Sequence, residues 1–222
     1  MLRIGHRGAR AYEPENTLLG FKKALEIGVD AVEFDVRRAG SGELVVIHDD
    51  KVDRTTNGSG AVNALTLSEI RQLTTEKGEK IPTLEEALDF LDNKAKILIE
   101  LKETGLEEDL LASIRKKNLT KNVIIVSFHE EALRKTKSIE DEIETGLIYV
   151  RHKNPIEAAL DLGASYILPL YRFTHSKLIQ KAHENGLKVI VWTINSPEEA
   201  SEYAKKGVDG IASDKPSILM DL

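Results

Sequence analysis

Eight side chains capable of chemistry cluster at the ends of apolar runs in the first half of the chain. Glu33 and Asp35 lie two apart in "VEFDVRR" (32–38), and Glu100 and Lys102 lie two apart in "ILIELK" (97–102). Alternate residues of a strand share a face, so Glu33 and Asp35 point one way while Val32, Phe34 and Val36 point the other. Glu100 and Lys102 share a face for the same reason. His6 and Arg7 close "LRIGHR", and His48 and Asp49 close "ELVVIHD". Inward carboxylates held close together repel one another and lose hydration, and a cation must offset both effects. A hard dication suits oxygen donors of flexible number, so one Mg2+ or Ca2+, with Mn2+ also admissible, is the expected cofactor on Glu33, Asp35 and Glu100. The competing interpretation is a purely structural network in which Arg7 and Lys102 pair the acids, although such buried networks rarely outdo apolar packing. Zinc on the histidines ranks lower, because three carboxylates favour a harder ion.

Two histidines beside that cluster add proton transfer. With an ordinary pKa near 6.5, one imidazole can accept a proton while the other donates one at neutral pH. A cation, two proton-transfer groups and the positive charges of Arg7 and Lys102 together describe a site for hydrolysing a phosphate ester. The cations hold the non-bridging oxygens, one histidine activates the attacking hydroxyl and the other protonates the leaving alkoxide.

The elements that must position these groups repeat along the chain. Expected strands are residues 2–6, 31–37, 96–102, 122–128, 145–150, 165–171, 188–195 and 210–214. Between them lie amphipathic segments such as "NTLLGFKKALEIG", "TLEEALDFLDN" and "SPEEASEYAKKG", with apolar residues three and four apart. Gly28, Gly163, Gly186 and Gly207 follow helices, and Ser196-Pro197 opens one. Eight strand–helix alternations predict an α/β fold of the (β/α)8 TIM-barrel type, in which catalytic groups sit at the C-terminal ends of strands. An open doubly wound sheet is the runner-up, but no GxGxxG or GxxxxGK[ST] turn occurs. After strand two, "AGSGELVVIHDD" suggests a hairpin, and residues 49–83 form a short insertion with one helix, "TLSEIRQL". A single domain over 1–222, with insertion 49–83 covering the barrel mouth, is expected.

Composition narrows the function classes. The 222 residues contain no cysteine, which excludes thiol nucleophiles and thiolate metal sites. A net charge of −6 and the lack of a long basic stripe argue against a nucleic-acid partner. No run approaches the roughly 20 apolar residues of a membrane helix, and "MLRIGHRG" has no leader character. A soluble, cytoplasmic protein without a membrane partner is expected; the sequence fixes no oligomeric state.

Taken together, "GHRGARAYEPENTLLGFKKALEIGVDAVEFDVRRAGSGELVVIHDD" resembles the opening of the glycerophosphodiester phosphodiesterases, and the likeness continues through "DRTTNGSG", "PTLEE", "IELK", "VWTIN" and "GVDGIASDKP". The resemblance implies a divalent metal on Glu33, Asp35 and Glu100, catalytic His6 and His48, and phosphate contacts from Arg7 and Lys102. It implies cleavage of a small-molecule glycerophosphodiester to glycerol 3-phosphate and an alcohol, the glycerol 2-hydroxyl attacking phosphorus to give a cyclic phosphate that water opens. Two alternatives keep the fold: a lysophospholipase D-type enzyme and a non-catalytic binder of phosphorylated ligands. Neither has sequence support, since no basic amphipathic helix occurs and no histidine or carboxylate of the pattern is missing.

Among weaker signals, "PENT" (14–17) most simply starts a helix with Asn16 or Thr17 as cap, a ligand role for Glu15 or Asn16 being the lesser alternative. Trp192, the only tryptophan, is either barrel filler or an apolar wall beside the glycerol carbons, and it joins the substrate-binding set on the second ground. Asp214 is expected to cap the last short helix. His129, His175 and His183 are expected at the surface, Arg151, His152 and Lys153 in a solvated loop, and Phe173 at the mouth.

Overall fold

A computed structural model describes residues 1–222. Nine strands form: β1 (Leu2–Gly5), β2 (Ala31–Arg38), β3 (Leu44–Val46), β4 (Lys96–Leu101), β5 (Val123–Ser127), β6 (Glu144–Tyr149), β7 (Tyr166–Pro169), β8 (Lys188–Val191) and β9 (Gly210–Ser213). Eight run parallel, and β9 and β2 both pair with β1, closing the expected TIM barrel. The ninth, β3, is the expected hairpin return, antiparallel to the outer end of β2 with Val46 opposite Val36. The helices are α1 (Leu18–Ile27), α2 (Leu67–Ile70), α3 (Leu84–Leu91), α4 (Glu107–Lys116), α5 (Glu130–Ile139), α6 (Pro155–Asp161), α7 (Ser176–Glu184) and α8 (Pro197–Lys205). None is long and apolar enough to cross a membrane.

Side-chain alternation builds two apolar shells. Val32, Phe34 and Val36 of β2 and Ile97, Ile99 and Leu101 of β4 face outward onto Phe21, Ala24, Leu88 and Leu110 of the helices. Ala31 and Leu98 face inward, where Ile4, Ile124, Tyr166, Ile190 and Ala212 fill the barrel. Each fully buried aliphatic or aromatic side chain contributes about 1.5–3 kcal/mol. One turn of the pleat higher, the inward positions of β2 and β4 change from Ala31 and Leu98 to Glu33, Asp35 and Glu100.

Local signals fix the helix ends. Thr17 Oγ1 accepts from Gly20 N at 3.0 Å, and Thr83 with Glu86 forms a capping box that opens α3. Ser196 caps α8 with Pro197 at its first position, as the sequence implies. Every barrel strand except β2 ends earlier than its apolar run suggests. The residues beyond the hydrogen-bond ladder still turn toward a cavity, so apolar character outlasts the strand. His6, Lys102, Trp192 and Asp214 therefore sit in the connections just past strand ends.

The excursion after β3 has a small core of its own, Val52, Val62, Ile70 and Ile81 packed with Ala39, Val45 and Ile47 of the hairpin. Its helix is a four-residue turn, α2, held by a Thr66–Glu69 capping box and shorter than "TLSEIRQL" suggests. Bridges Lys51–Ala61 and Thr56–Thr75 fold the rest back on itself.

Candidate active site

Glu33 and Asp35 on β2 and Glu100 on β4 meet inside the C-terminal end of the barrel. Asp35 is in register with Glu100, and each of the three acids offers a carboxylate oxygen within 4.8 Å of the other two. All three are buried, Asp35 completely. Asp35 is clamped by Asn16, whose Nδ2 donates to Oδ2 at 2.9 Å and whose Oδ1 accepts from Asp35 N at 3.3 Å. Asn16 adopts a left-handed φ of 56°, a conformation asparagine tolerates, and this aims its amide at β2 while Thr17 caps α1.

Two cations serve the trio. Lys102 Nζ donates to Glu100 Oε1 at 2.5 Å and lies 3.6 Å from Asp35 Oδ1. Arg7 Nε lies 3.3 Å from Asp35 Oδ2, Nη1 donates to Glu15 Oε1 at 2.8 Å, and its backbone N–H donates to Glu33 Oε2 at 2.7 Å. That backbone contact requires a tight turn: Arg7 has φ 53°, and a Cβ on Gly8 would stand 2.7 Å from the Gly20 backbone. The "HRG" triplet is thus a steric requirement as well as a chemical one.

The cations do not balance the acids. Burial, then Asp35 and Glu100, push the Glu33 carboxyl well above the ordinary carboxylate range. Burial and Asp35 lift Glu100 to about 7 against the pull of Lys102. Burial also opposes ionisation of Asp35, but Arg7, Lys102, His48 and the Asn16 bond outweigh it and hold this carboxyl low. Asp35 Oδ1 is buried without a hydrogen-bond partner. Surplus acid, an orphaned carboxylate oxygen and an all-oxygen donor set fit a hard divalent cation, and these three residues can hold one.

An imidazole stands on either flank, each oriented by a carboxylate. His6 Nδ1 pairs with Asp214 Oδ1 at 2.6 Å, which turns Nε2 toward Glu33 Oε2, 4.0 Å away. Asp214 is itself held by Asn195 Nδ2 at 2.8 Å and lies 3.3 Å from Arg10 Nε. His48 Nδ1 pairs with Asp49 Oδ1 at 2.6 Å, and Arg54 grips Asp49 through Nε at 2.6 Å and Nη2 at 3.0 Å. Burial lowers the pKa of His48, with Arg7 and Lys102 adding to that effect against Asp35 and Asp49. A carboxylate on Nδ1 leaves Nε2 of each ring to exchange a proton.

A cavity of about 400 Å3 lies between them. His6, Arg7, Glu33, His48, Glu100, Lys102 and Trp192 line it together, with Asp35 beneath. Its opposite wall is apolar: Phe128 stands edge-on to Trp192 with centroids 5.7 Å apart, over Ile148, Leu168 and Ile190. Trp192 Nε1 donates to Leu168 O at 2.8 Å, fixing the ring as that wall.

Sequence reasoning misplaced two residues and missed others. Asp214 does not cap the last turn, where Lys215 occupies the cap position without a side-chain bond; it orients His6 instead. The two are 208 positions apart, and only barrel closure between β1 and β9 brings them together. Phe173 does not line the cavity but lies exposed beneath Arg151, 4.3 Å from its ring centre. Phe128 and Arg10 went unnoticed, although Phe128 directly follows the apolar run "NVIIVS" at a strand's C-terminal end. Arg151, His152 and Lys153 are exposed, and so are His129, His175 and His183.

A closed barrel with acids, histidines and cations at its C-terminal mouth, its acid trio able to hold a metal ion, has the form of a hydrolase on a TIM barrel. Comparison with known proteins narrows this. Residues 6–218 match the glycerophosphoryl diester phosphodiesterase family. The chain is 39% identical to a glycerophosphodiester phosphodiesterase of Caldanaerobacter subterraneus subsp. tengcongensis, over 99% of this chain and 96% of the relative. Among solved structures it resembles a glycerophosphodiester phosphodiesterase from Agrobacterium tumefaciens, with TM-score 0.90, 31% identity, and 99% and 98% of the two chains covered. It also resembles an Oleispira antarctica phosphodiesterase in complex with its product sn-glycerol-3-phosphate, with TM-score 0.90, 29% identity, and 98% and 94% covered. The chain belongs to the glycerophosphoryl diester phosphodiesterase family, whose members are phosphoric diester hydrolases.

Proposed function

We propose that this chain hydrolyses glycerophosphodiesters to sn-glycerol 3-phosphate and an alcohol, using one divalent cation and two histidines. The observation that carries the reading is the placement of two carboxylate-oriented imidazoles on either side of a buried, under-balanced acid trio. Glu33, Asp35 and Glu100 hold the cation, for which Mg2+, Ca2+ and Mn2+ are the candidates. When bound it supplies Lewis-acid stabilisation of charge developing on the phosphoryl oxygens. Arg7 and Lys102 add positive charge on the same side; Arg7 Nη2 has no protein partner and is free to contact a non-bridging oxygen.

The histidines move the protons. The Nε2 of one takes the proton of the glycerol 2-hydroxyl as its oxygen attacks phosphorus, and the Nε2 of the other gives a proton to the leaving alkoxide. The bond to the alcohol breaks as the cyclic phosphate forms, and the same pair, roles exchanged, delivers water to open the ring. Trp192 and Phe128 lie against the glycerol carbons and keep bulk water from that side. Insertion 49–83 closes over the mouth from the His48 side.

Incubation with glycerophosphocholine and Mg2+, followed by enzymatic assay of sn-glycerol 3-phosphate, tests this. Metal-dependent release, abolished by a chelator, is expected. Failure to release it from any glycerophosphodiester with Mg2+, Ca2+ or Mn2+ would make the protein a binder of phosphorylated ligands.

A further inference from the structure

The departing alcohol needs a place to lie, and a second cavity adjoins the first. It measures about 530 Å3 and opens between the connection after β1, residues 10–15, and the insertion, residues 54–57 and 74–77. Arg10 lines both cavities. Two further wall residues tie it to the catalytic groups. Glu15 accepts from Arg7 Nη1 at 2.8 Å, and Arg54 grips Asp49, the partner of His48. The cleft therefore borders the phosphate end of the first cavity, where Arg10 reaches the partner of His6 and Arg54 the partner of His48, and its lining excludes the apolar wall of Phe128 and Trp192.

Its lining is almost wholly polar, yet its charges are largely spent. Glu13 pairs with Lys77 at 2.5 Å, and Glu15 pairs with both Arg7 and Arg54. Glu76, the remaining acid, is exposed at the edge, and the one aromatic, Tyr12, has its hydroxyl engaged with Ser217 Oγ at 2.5 Å. Arg10 faces Asp214 at 3.3 Å and Glu15 at 3.9 Å, so apart from Glu76 at the edge what stays free is neutral. Asn57 accepts from Thr74 N at 2.9 Å through Oδ1, which leaves its NH2 to the cleft, and the half-buried hydroxyls of Thr55 and Thr74 bond to nothing in the protein. Neutral donors and acceptors at this density match the hydroxyls of a polyol. They offer neither an aromatic box for a quaternary ammonium nor an apolar groove for an acyl chain.

Resting on the phosphodiesterase reading, we propose that this cleft is the leaving-group subsite and selects uncharged polyhydroxylated alcohols, of the glycerol or cyclitol class, over choline-like and acyl-bearing groups. A site built to hydrogen-bond hydroxyls discriminates against analogues lacking them, because its own polar groups are then left unpaired.

The test compares kcat/KM of the full chain with Mg2+ on three diesters of sn-glycerol 3-phosphate, those of glycerol, choline and methanol. The glycerol ester should exceed the other two by about 10-fold or more. The paired substitution Thr55→Val with Thr74→Val should lower the glycerol-to-methyl ratio by about 10-fold, the worth of two neutral hydrogen bonds. Asn57→Asp, which keeps the Oδ1 acceptor and removes the donor, should lower the same ratio by about 5-fold and guards against misfolding of the double variant. Wild-type ratios within about 2-fold of unity, a choline preference, or ratios that neither variant moves would each overturn the subsite alone. No release from any of the three by the wild type would overturn the phosphodiesterase reading, and the subsite with it.

Discussion

At the N-terminal end of the barrel, Glu144 receives Lys96 Nζ at 2.6 Å and both Lys188 Nζ and Tyr166 Oη at 3.3 Å. At the C-terminal end, Glu33, Asp35 and Glu100 share only Lys102 and an Arg7 already engaged by Glu15. Burial opposes ionisation of Glu144 too, but its two lysines win and hold the carboxyl low. At the other mouth the balance goes the opposite way for Glu33 and Glu100, and Asp35 Oδ1 is left without a partner. A cluster that serves stability arrives neutralised within the chain, whereas one that serves a ligand keeps charge in reserve.

The contrast breaks most sharply at the histidines. His48→Ala should cut kcat by about 10²-fold or more with metal affinity retained, the range of a lost acid–base group, while Glu144→Gln leaves kcat within about 2-fold. Steady-state kinetics beside a metal titration checks both, and wild-type turnover without His48 would remove it from the mechanism. Next in size, Glu100→Gln should weaken metal binding by about 10-fold or more, with lost activity partly restored by excess metal. An unaltered metal requirement, read from activity against Mg2+ concentration, would remove Glu100 from the ligand set.

A smaller effect follows from protonation. Because Glu33 and Glu100 are raised, these two carboxyls hold more protons in the folded metal-free chain than in the unfolded chain above their ordinary value of 4.5, Glu100 up to about 7. Raising pH through that window therefore removes the stability these two groups contribute, and a dication opposes that loss by favouring their ionised forms. The gain in Tm on adding Mg2+ should be larger at about pH 7.5 than at about pH 5, measured by calorimetry with and without chelator; equal gains would refute the coupling. Smallest is Glu144→Gln itself, a partly exposed cluster expected to cost at most about 2–4 °C in Tm.

Much of this contrast is legible in the sequence, because strand periodicity alone turns Glu33, Asp35 and Glu100 inward and places His6 and His48 at strand ends. The (β/α)8 architecture follows from the same alternation. The carboxylate partners of the histidines divide differently. Asp49 is adjacent to His48 in sequence, but Asp214 reaches His6 only through closure of the barrel, which no local pattern encodes. Asn16 reads as a helix cap because the same residue types cap helices and clamp carboxylates, and only its left-handed φ separates the roles. Phe128 is hidden by an apolar run that continues past its strand.

The most direct test of the shared-ion claim is anomalous diffraction from a crystal grown with Mn2+. The account predicts a single strong peak per chain within about 2.0–2.6 Å of oxygens from Glu33, Asp35 and Glu100 together. No peak among those three carboxylates, or an ion bound instead beside Glu144, would contradict it.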